Sequence, residues 1–187
     1  KIAEIDTEYC TIIGADVDEA YLNSVAAQAL DIDVSDVSVV YTPIHGSGNK
    51  LVRGVLKKIG VEKVTVVKEQ EEPDGNFPNH IPNPENKEAM KAISDAVLES
   101  KSDLGIIFDT DVDRAGAVDR KGKEINRNRI IALIAAIAIE EHAGATIVTD
   151  SITSSGLKKF IEEDLGGVHH RFKRGYKNVI DEAKRLT

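Results

Sequence analysis

The sequence predicts an α/β fold made of two consecutive three-layer α/β/α units with mostly parallel sheets, the second unit incomplete. Short runs rich in β-branched residues alternate along the chain with segments whose apolar residues recur every three or four positions. Glycine-containing polar loops follow several of the short runs. Alternating strands and helices favour parallel strands joined by crossover helices, with ligands bound where the strands end.

Four strands are predicted in the first unit. Three of them, at 37–41, 63–67 and 104–108, are short runs of mostly apolar, β-branched residues, and 115–118 is expected to be a short return strand. Residues 70–84 hold four of the chain's five prolines and predict a long structured loop.

Three helices are predicted in the first unit, one before the first strand and two between strands. Residues 49–59 and 84–100 carry apolar residues at helical spacing, and Gly60 suits the position after the first of these helices. Residues 16–30 also have helical composition, with Asp18 as a candidate cap. The helix at 16–30 is expected to carry on one face Tyr21, Leu22, Val25, Ala26 and Ala29. The helix at 49–59 is expected to turn inward Leu51, Val52, Val55, Leu56 and Ile59, and the helix at 84–100 repeats apolar residues every four positions at Ala89, Ile93 and Val97.

The second unit repeats the alternation from about residue 122. Residues 129–140 are apolar nearly all round, which predicts a helix buried on two sides. Strands are expected at 146–149 and 168–172, and helices at 154–164, capped by Thr153 or Ser154, and from 179 to 186.

Composition limits the classes of function. The net charge of −8 argues against a general nucleic-acid-binding protein and leaves no basic patch for a membrane surface. No apolar run is long enough to cross a membrane. The single cysteine, Cys10, excludes an internal disulfide and suits the cytoplasm. Because the first residue is Lys1 and the only methionine is Met90, we expect the sequence to be a piece of a longer chain.

Three carboxylates follow the strand at 104–108. Asp109, Asp111 and Asp113 converge on one point if the chain turns there, and they then repel each other unless a cation lies among them. Mg²⁺ is the simplest such cation, and Arg114 suits a phosphate that this cation also touches. The alternative is a solvated acidic turn. A calcium-binding EF-hand loop is excluded by the arginines at its sixth and twelfth positions, Arg114 and Arg120.

Two further segments carry candidate functional groups at predicted strand ends. The loop at 42–48 contains two glycines, which suit an anion at the following helix N-terminus, and His45, which is either an acid–base group, a phosphate contact or a structural residue. The segment 169–177 is basic within an acidic chain, and it is either a solvated edge or a contact for an anionic substrate. Within it, Gly175 lets the backbone approach a ligand, and Lys177 is a candidate proton donor or acceptor.

In combination these motifs resemble the α-D-phosphohexomutases, the phosphoglucomutase/phosphomannomutase superfamily. DTDVDR at 109–114 is similar to the magnesium loop of the family, and TPIHGSG at 42–48 is similar to its Thr-Pro-Leu-His-Gly loop. Further similar segments are PDGNFP at 73–78, PNPE at 82–85, TDSITS at 149–154 and RGYKN at 174–178. The order and spacing of these segments match those of the family over nearly the whole chain.

The resemblance implies the middle of a four-domain enzyme: residues 1–15 would end a linker from a missing first domain, 16–121 would be the second domain and 122–187 a truncated third. It implies Mg²⁺-dependent phosphoryl transfer on a hexose phosphate through a phosphoserine in the missing domain. The implied metal ligands are Asp109, Asp111 and Asp113; the implied catalytic residues are Arg114, Lys177 and His45; the implied substrate contacts are Arg174, Gly175 and Lys177. Without the serine loop and the fourth domain, the chain alone is expected to be inactive.

Two alternatives remain open from the sequence. Four apolar residues followed by Asp-x-Asp are also typical of haloacid-dehalogenase-type phosphatases, with Asp109 as nucleophile and Asp111 as acid–base. Against that, the motif falls late in the chain and continues as Asp113-Arg114. The other alternative is a non-catalytic module that binds metal or phosphate.

Overall fold

A computed structural model describes residues 11 and 13–186 of the chain. These residues divide into two compact units, the first ending at Glu124 and the second beginning at Ile125. Most of the expected linker, residues 1–15, lies outside the described residues, and Ala15 already belongs to the first helix, α1 (Ala15–Ala26).

The first unit is built on a four-stranded sheet in the order β2-β1-β3-β4. Strands β1 (Ser38–Thr42), β2 (Lys63–Val66) and β3 (Leu104–Phe108) are parallel, and β4 (Ala115–Asp119) returns antiparallel to β3. The register pairs Val39 with Leu104 and Phe108 with Ala115. All four predicted strands are therefore present, each within one residue of its predicted ends.

Helices cover both faces of this sheet. Helix α3 (Lys87–Ser100) buries Ala89, Ile93 and Val97 against one face, as its spacing predicts. Helix α2 (Asn49–Lys58) buries Leu56 against the other face, with Val39 and Val61. This is the three-layer arrangement expected from the sequence, and it brings the ends of β1 and β3 to one edge.

Two helix boundaries differ from the prediction for local reasons. Helix α3 begins at Lys87 rather than at 84, because the Asn86 side chain accepts hydrogen bonds from the N–H groups of Glu88 and Ala89. Helix α1 ends at Ala26 rather than at residue 30 and has no fully buried residue. Three of the residues predicted to share one face, Leu22, Val25 and Ala26, are half-buried. Tyr21 is 53% exposed, and Asp18 pairs with Lys50 instead of capping the helix.

The proline-rich segment after β2 is held by buried polar contacts, as expected of a structured loop. It begins with a 3₁₀ turn at Lys68–Gln70. The Thr42 hydroxyl donates to Gln70 Oε1 at 2.6 Å, and Gln70 Nε2 donates to His80 Nε2 at 2.6 Å. Gln70 is buried, so these bonds satisfy polar atoms that water cannot reach.

The second unit has two parallel strands, β5 (Thr146–Thr149) and β6 (Val168–Arg171). Helix α4 (Arg127–Glu141) and helix α5 (Ser155–Lys159), which continues as a π-helical turn at Phe160–Asp164, enclose a core around Ala135, Ile139, Leu157 and Ile161. The predicted cap Ser154 accepts a hydrogen bond from the Leu157 N–H. Helix α6 (Tyr176–Leu186) lies against β5.

Two expectations for this unit fail. Helix α4 was expected to be buried on two sides, but Leu133 and Ile134 are 62% and 59% exposed. Helix α6 starts at Tyr176 rather than 179, because Gly175, with φ of +117°, turns the chain directly into it. Over residues 11 and 13–186, no helix is long and apolar enough to cross a membrane.

Candidate metal centre

The aspartate-rich segment forms the tight turn between β3 and β4. The Asp109 N–H donates to the Arg114 carbonyl at 3.1 Å, and the Val112 N–H donates to the Asp109 carbonyl at 3.2 Å. Val112 has a φ of +65°, an unusual conformation for a β-branched residue. These features turn the chain sharply at the strand end, which is the condition for the three carboxylates to converge.

The three predicted ligands do converge. One oxygen from each of Asp109, Asp111 and Asp113 lies within 4.8 Å of the other two. Asp109 is fully buried because it continues the inward alternation of Gly105 and Ile107, whereas the other two are exposed. The cluster is therefore open on one side to solvent and closed by the sheet on the other.

Arg114 stabilises the buried carboxylate. Its N–H donates to Asp109 Oδ1 at 3.0 Å and its Nε to Oδ2 at 2.7 Å. Burial alone raises the pKa of Asp109, but these hydrogen bonds and the guanidinium charge outweigh burial and hold that pKa below its ordinary value. The Arg114 side chain is still 53% exposed, so part of the guanidinium is accessible.

The opposite shift occurs at the exposed end of the cluster. A hydrogen bond to Asp109, together with the negative charges of Asp111 and Asp109, raises the pKa of Asp113 above its ordinary value. Crowded carboxylates of this kind are stabilised by a hard cation with oxygen ligands. The donor set, three carboxylates and no softer ligand, fits Mg²⁺.

The loop at 42–48 contacts this turn, as its place at the same sheet edge predicts. The Ser47 N–H and hydroxyl both donate to the Thr110 carbonyl, each at 2.9 Å. The backbones approach so closely that a Cβ on Gly46 would lie 2.5 Å from Thr110 Cα. The two loops therefore form one continuous structure.

His45 lies on the far side of the same loop. It is only 8% exposed; Nδ1 donates to the Glu72 carbonyl at 2.8 Å, and Nε2 contacts the Asn79 side-chain amide. Both ring nitrogens are thus engaged by segment 72–79 of the same unit. This geometry favours the structural interpretation of His45 over proton transfer.

In the second unit, the predicted substrate-binding residues lie in the connection after β6 and in the first turn of α6. Arg174 and Lys177 are exposed, and Gly175 occupies a backbone conformation that favours glycine. Lys177 Nζ donates to Asp181 Oδ2 at 2.6 Å, and this hydrogen bond raises the pKa of Lys177 above its ordinary value. The lysine therefore stays protonated at neutral pH.

An ion-pair network around the buried side chain of Glu182 was missed from the sequence. Glu182, on α6, accepts hydrogen bonds from Arg185 at 2.7 and 2.8 Å and contacts His170 of β6 at 2.9 Å. The hydrogen bonds from Arg185 lower the pKa of Glu182 to about 2, although burial opposes this shift. The i, i+3 spacing of Glu182 and Arg185 was a visible signal.

Known proteins are similar to this chain in sequence and in fold. Residues 19–122 match the domain family described as phosphoglucomutase/phosphomannomutase, alpha/beta/alpha domain II. The chain belongs to the phosphoglucomutase/phosphomannomutase family. Since the match includes residues 109–114, the aspartate triplet lies within a domain of this family and not in a haloacid-dehalogenase-type phosphatase.

Individual members of the family align with most of the chain. It is 33% identical over 135 residues to a phosphomannomutase of Salmonella typhimurium, covering 71% of this chain and 29% of that protein. It is 30% identical over 178 residues to a phosphoglucomutase of Staphylococcus haemolyticus, and this alignment covers 90% of this chain and 32% of that protein. A crystal structure of a phosphoglucomutase/phosphomannomutase family protein from Burkholderia thailandensis matches with a TM-score of 0.81 at 25% identity. The match covers 90% of this chain and 36% of that protein. The chain thus spans about a third of the length of these relatives.

Proposed function

We propose that the chain is the central part of a phosphohexomutase, which moves a phosphoryl group within a hexose phosphate such as glucose or mannose 1- or 6-phosphate. The observation that carries this proposal is the convergence of three carboxylates beside a partly exposed arginine, within a domain of this family. Phosphoryl transfer depends mainly on positioning and charge stabilisation, and these groups supply both.

We assign Asp109, Asp111 and Asp113 as the residues that hold Mg²⁺. When bound, Mg²⁺ supplies positive charge that stabilises a transferring phosphoryl group. The buried Asp109 fixes one side of the cluster through its bonds to Arg114, and the exposed Asp111 and Asp113 face solvent. The accessible part of the Arg114 guanidinium is proposed to bind phosphate oxygens, for which its planar shape is suited.

Arg174, Gly175 and Lys177 are proposed to contact the sugar phosphate. Arg174 and Lys177 provide positive charge in a chain that is otherwise acidic, and Gly175, with its φ of +117°, makes the turn that presents them together. The protonated Lys177 suits the role of hydrogen-bond donor or general acid better than that of base. For His45, whose ring nitrogens are both engaged, we propose support of the loop rather than catalysis.

The proposed domain assignment follows the family. Residues 16–121 would form the second domain, 122–187 most of the third, and 1–15 the end of a linker from the first. The serine that carries the phosphoryl group and the fourth domain would be the partners of this chain within one polypeptide, so the chain alone is proposed to be inactive. The single cysteine favours a reducing compartment, and we propose the cytoplasm.

The test is a mutase assay on the full-length protein that contains this segment, with glucose 1-phosphate and mannose 1-phosphate as substrates. We expect Mg²⁺-dependent turnover, lost in Asp111→Asn and retained in Asp95→Asn, an exposed aspartate on α3. The isolated chain should show no turnover. A full-length protein that binds Mg²⁺ without mutase activity would favour the binding module, and beryllium fluoride trapped on Asp109 would favour the phosphatase.

A further inference from the structure

The loop at 42–48 is hydrogen-bonded to the tight turn at 109–114, the metal turn, through the carbonyl of Thr110. The Ser47 N–H and hydroxyl donate two hydrogen bonds, each of 2.9 Å, to the carbonyl of Thr110. The Thr110 carbonyl belongs to the peptide group that joins Thr110 to Asp111, so its orientation constrains the direction in which the Asp111 side chain leaves the backbone. Two donors also occupy both lone pairs of this carbonyl, so it is not free to bind a cation itself.

Gly46 brings Ser47 close enough to make these bonds. A Cβ at this position would lie 2.5 Å from Thr110 Cα and 2.7 Å from the Thr110 oxygen. Both are backbone atoms, which cannot rotate away as the end of a side chain can. Any other residue at 46 would therefore push the metal turn away from the loop.

The opposite side of the loop is fixed by His45. Its N–H donates to the Gln70 carbonyl at 2.9 Å, its carbonyl accepts from the Asp74 N–H at 3.2 Å, and its ring engages Glu72 and Asn79. Ile44 and His45 have φ values of +46° and +58°, which are unfavourable for residues other than glycine. The bonds to segment 70–79 hold this strained conformation and leave Ser47 little freedom to move.

We propose that Ser47 is a positioning residue for the metal centre. Through the Thr110 carbonyl, it holds Asp111 in the arrangement in which its carboxylate converges with those of Asp109 and Asp113 to bind Mg²⁺, while Gly46 permits the close approach and His45 fixes the loop. This inference rests on the proposed function, because it assigns a role to Ser47 at the proposed metal site.

The first test is calorimetric titration of Mg²⁺ into the chain and its variants. Ser47→Ala should weaken Mg²⁺ binding about tenfold, the scale seen when a residue that orients a metal ligand is lost. Ser47→Thr keeps the hydroxyl and should restore most of the affinity. Gly46→Ala should weaken binding as well, whereas Gly75→Ala, at a site with no atom within 4 Å of the added Cβ, should not.

The second test needs no metal and measures hydrogen exchange at the Arg114 N–H, which donates to Asp109 Oδ1. Ser47→Ala should increase this exchange while the buried amides of β1 and β3 keep their protection. If wild type binds no Mg²⁺ but exchange rises as expected, the metal site fails and the positioning of the turn stands. The inference would be overturned if Ser47→Ala kept both the wild-type Mg²⁺ affinity and the wild-type exchange rate of the Arg114 N–H. It would also be overturned if amides throughout the first unit lost protection equally.

Discussion

Arg114 donates two hydrogen bonds to one carboxylate, from its backbone N–H and its Nε to the two oxygens of Asp109, at 3.0 and 2.7 Å. One guanidinium therefore offsets one of the three carboxylates in the turn. The charge that remains when all are ionised, minus two, matches a divalent cation. This relationship explains how a turn with three adjacent acidic groups is compatible with a folded sheet edge before any cation binds.

Substituting Asp113 should separate metal binding from stability. Its pKa is raised by the hydrogen bond to Asp109 and by the neighbouring negative charges, so ionised Asp113 is unfavourable in the folded chain without metal. We expect Asp113→Asn to raise the metal-free melting temperature slightly. Removing a direct ligand should lower Mg²⁺ affinity by about tenfold or more.

Thermal melts and calorimetric Mg²⁺ titrations check both parts of this prediction. Asp95→Asn, which removes an exposed aspartate on α3, is the matched control and should leave Mg²⁺ affinity unchanged. A variant that keeps wild-type Mg²⁺ affinity would exclude Asp113 from the ligand set.

Glu182 should make the second unit sensitive to acid. Its pKa falls from 4.5 to about 2 on folding, chiefly through hydrogen bonds from Arg185. Between these two values the unfolded chain binds more protons than the folded chain. The contribution of Glu182 to the free energy of unfolding is therefore fully present above pH 4.5 and declines as the pH falls towards 2. We expect Glu182→Gln to be less stable at neutral pH and to lose less stability across the interval.

Urea unfolding at a series of pH values, followed by the amide NMR signals of β6, measures this difference. Glu140→Gln changes an exposed residue of the same unit and should reproduce the wild-type pH dependence. If Glu182→Gln followed the wild-type curve, the network would contribute nothing to acid stability.

Lys177 should respond to its neighbour on the next turn of α6. Since the hydrogen bond from Lys177 to Asp181 raises the lysine pKa, Asp181→Asn should lower that pKa towards its ordinary value of 10.5. An NMR titration of the Lys177 side chain measures the shift directly. Lys158, whose partner Glu162 is untouched by the substitution, is the internal reference, and an unchanged Lys177 titration would show that the contact does not persist in solution.

Gly105 should test the packing between β3 and α3. A Cβ there would lie 2.7 Å from Val97 Cγ2 and 2.8 Å from Ile93 Cγ1. We expect Gly105→Ala to destabilise the first unit by about 1–3 kcal/mol, the usual cost of overpacking a core. Urea midpoints measure it, with Gly75→Ala as the control; equal midpoints for the two variants would mean that α3 shifts without cost.

Hydrophobic sequence patterns predicted correctly those elements in which the apolar residues are also the buried ones. The apolar run at 104–108 identified a strand, and the spacing of Ala89, Ile93 and Val97 identified a helix together with the residues that it buries. These patterns failed where apolar composition and burial diverge: Leu133 and Ile134 are as apolar as core residues, yet they are exposed over the described residues. Nothing local distinguishes a core helix face from one that the described chain leaves uncovered.

The candidate metal centre was predictable only in part. The spacing of Asp109, Asp111 and Asp113 indicated convergence because all three carboxylates lie in one short turn. The contact between Ser47 and Thr110 joins positions far apart in sequence and depends on positive φ values at Ile44 and His45. A positive φ at a residue other than glycine has no clear signal in the sequence, so this contact is visible only in the three-dimensional structure.

The strand order has a consequence for how the chain folds. Strand β1 is central, and its pairing of Val39 with Leu104 spans α2, β2 and α3 in sequence. Contacts between such distant segments form late and slowly, so the edge where Ser47 meets Thr110 should be completed after most of the unit is in place. We expect Mg²⁺ to slow unfolding without accelerating refolding, measurable by stopped-flow mixing; a refolding rate that rises with Mg²⁺ would instead place this edge in the folding nucleus.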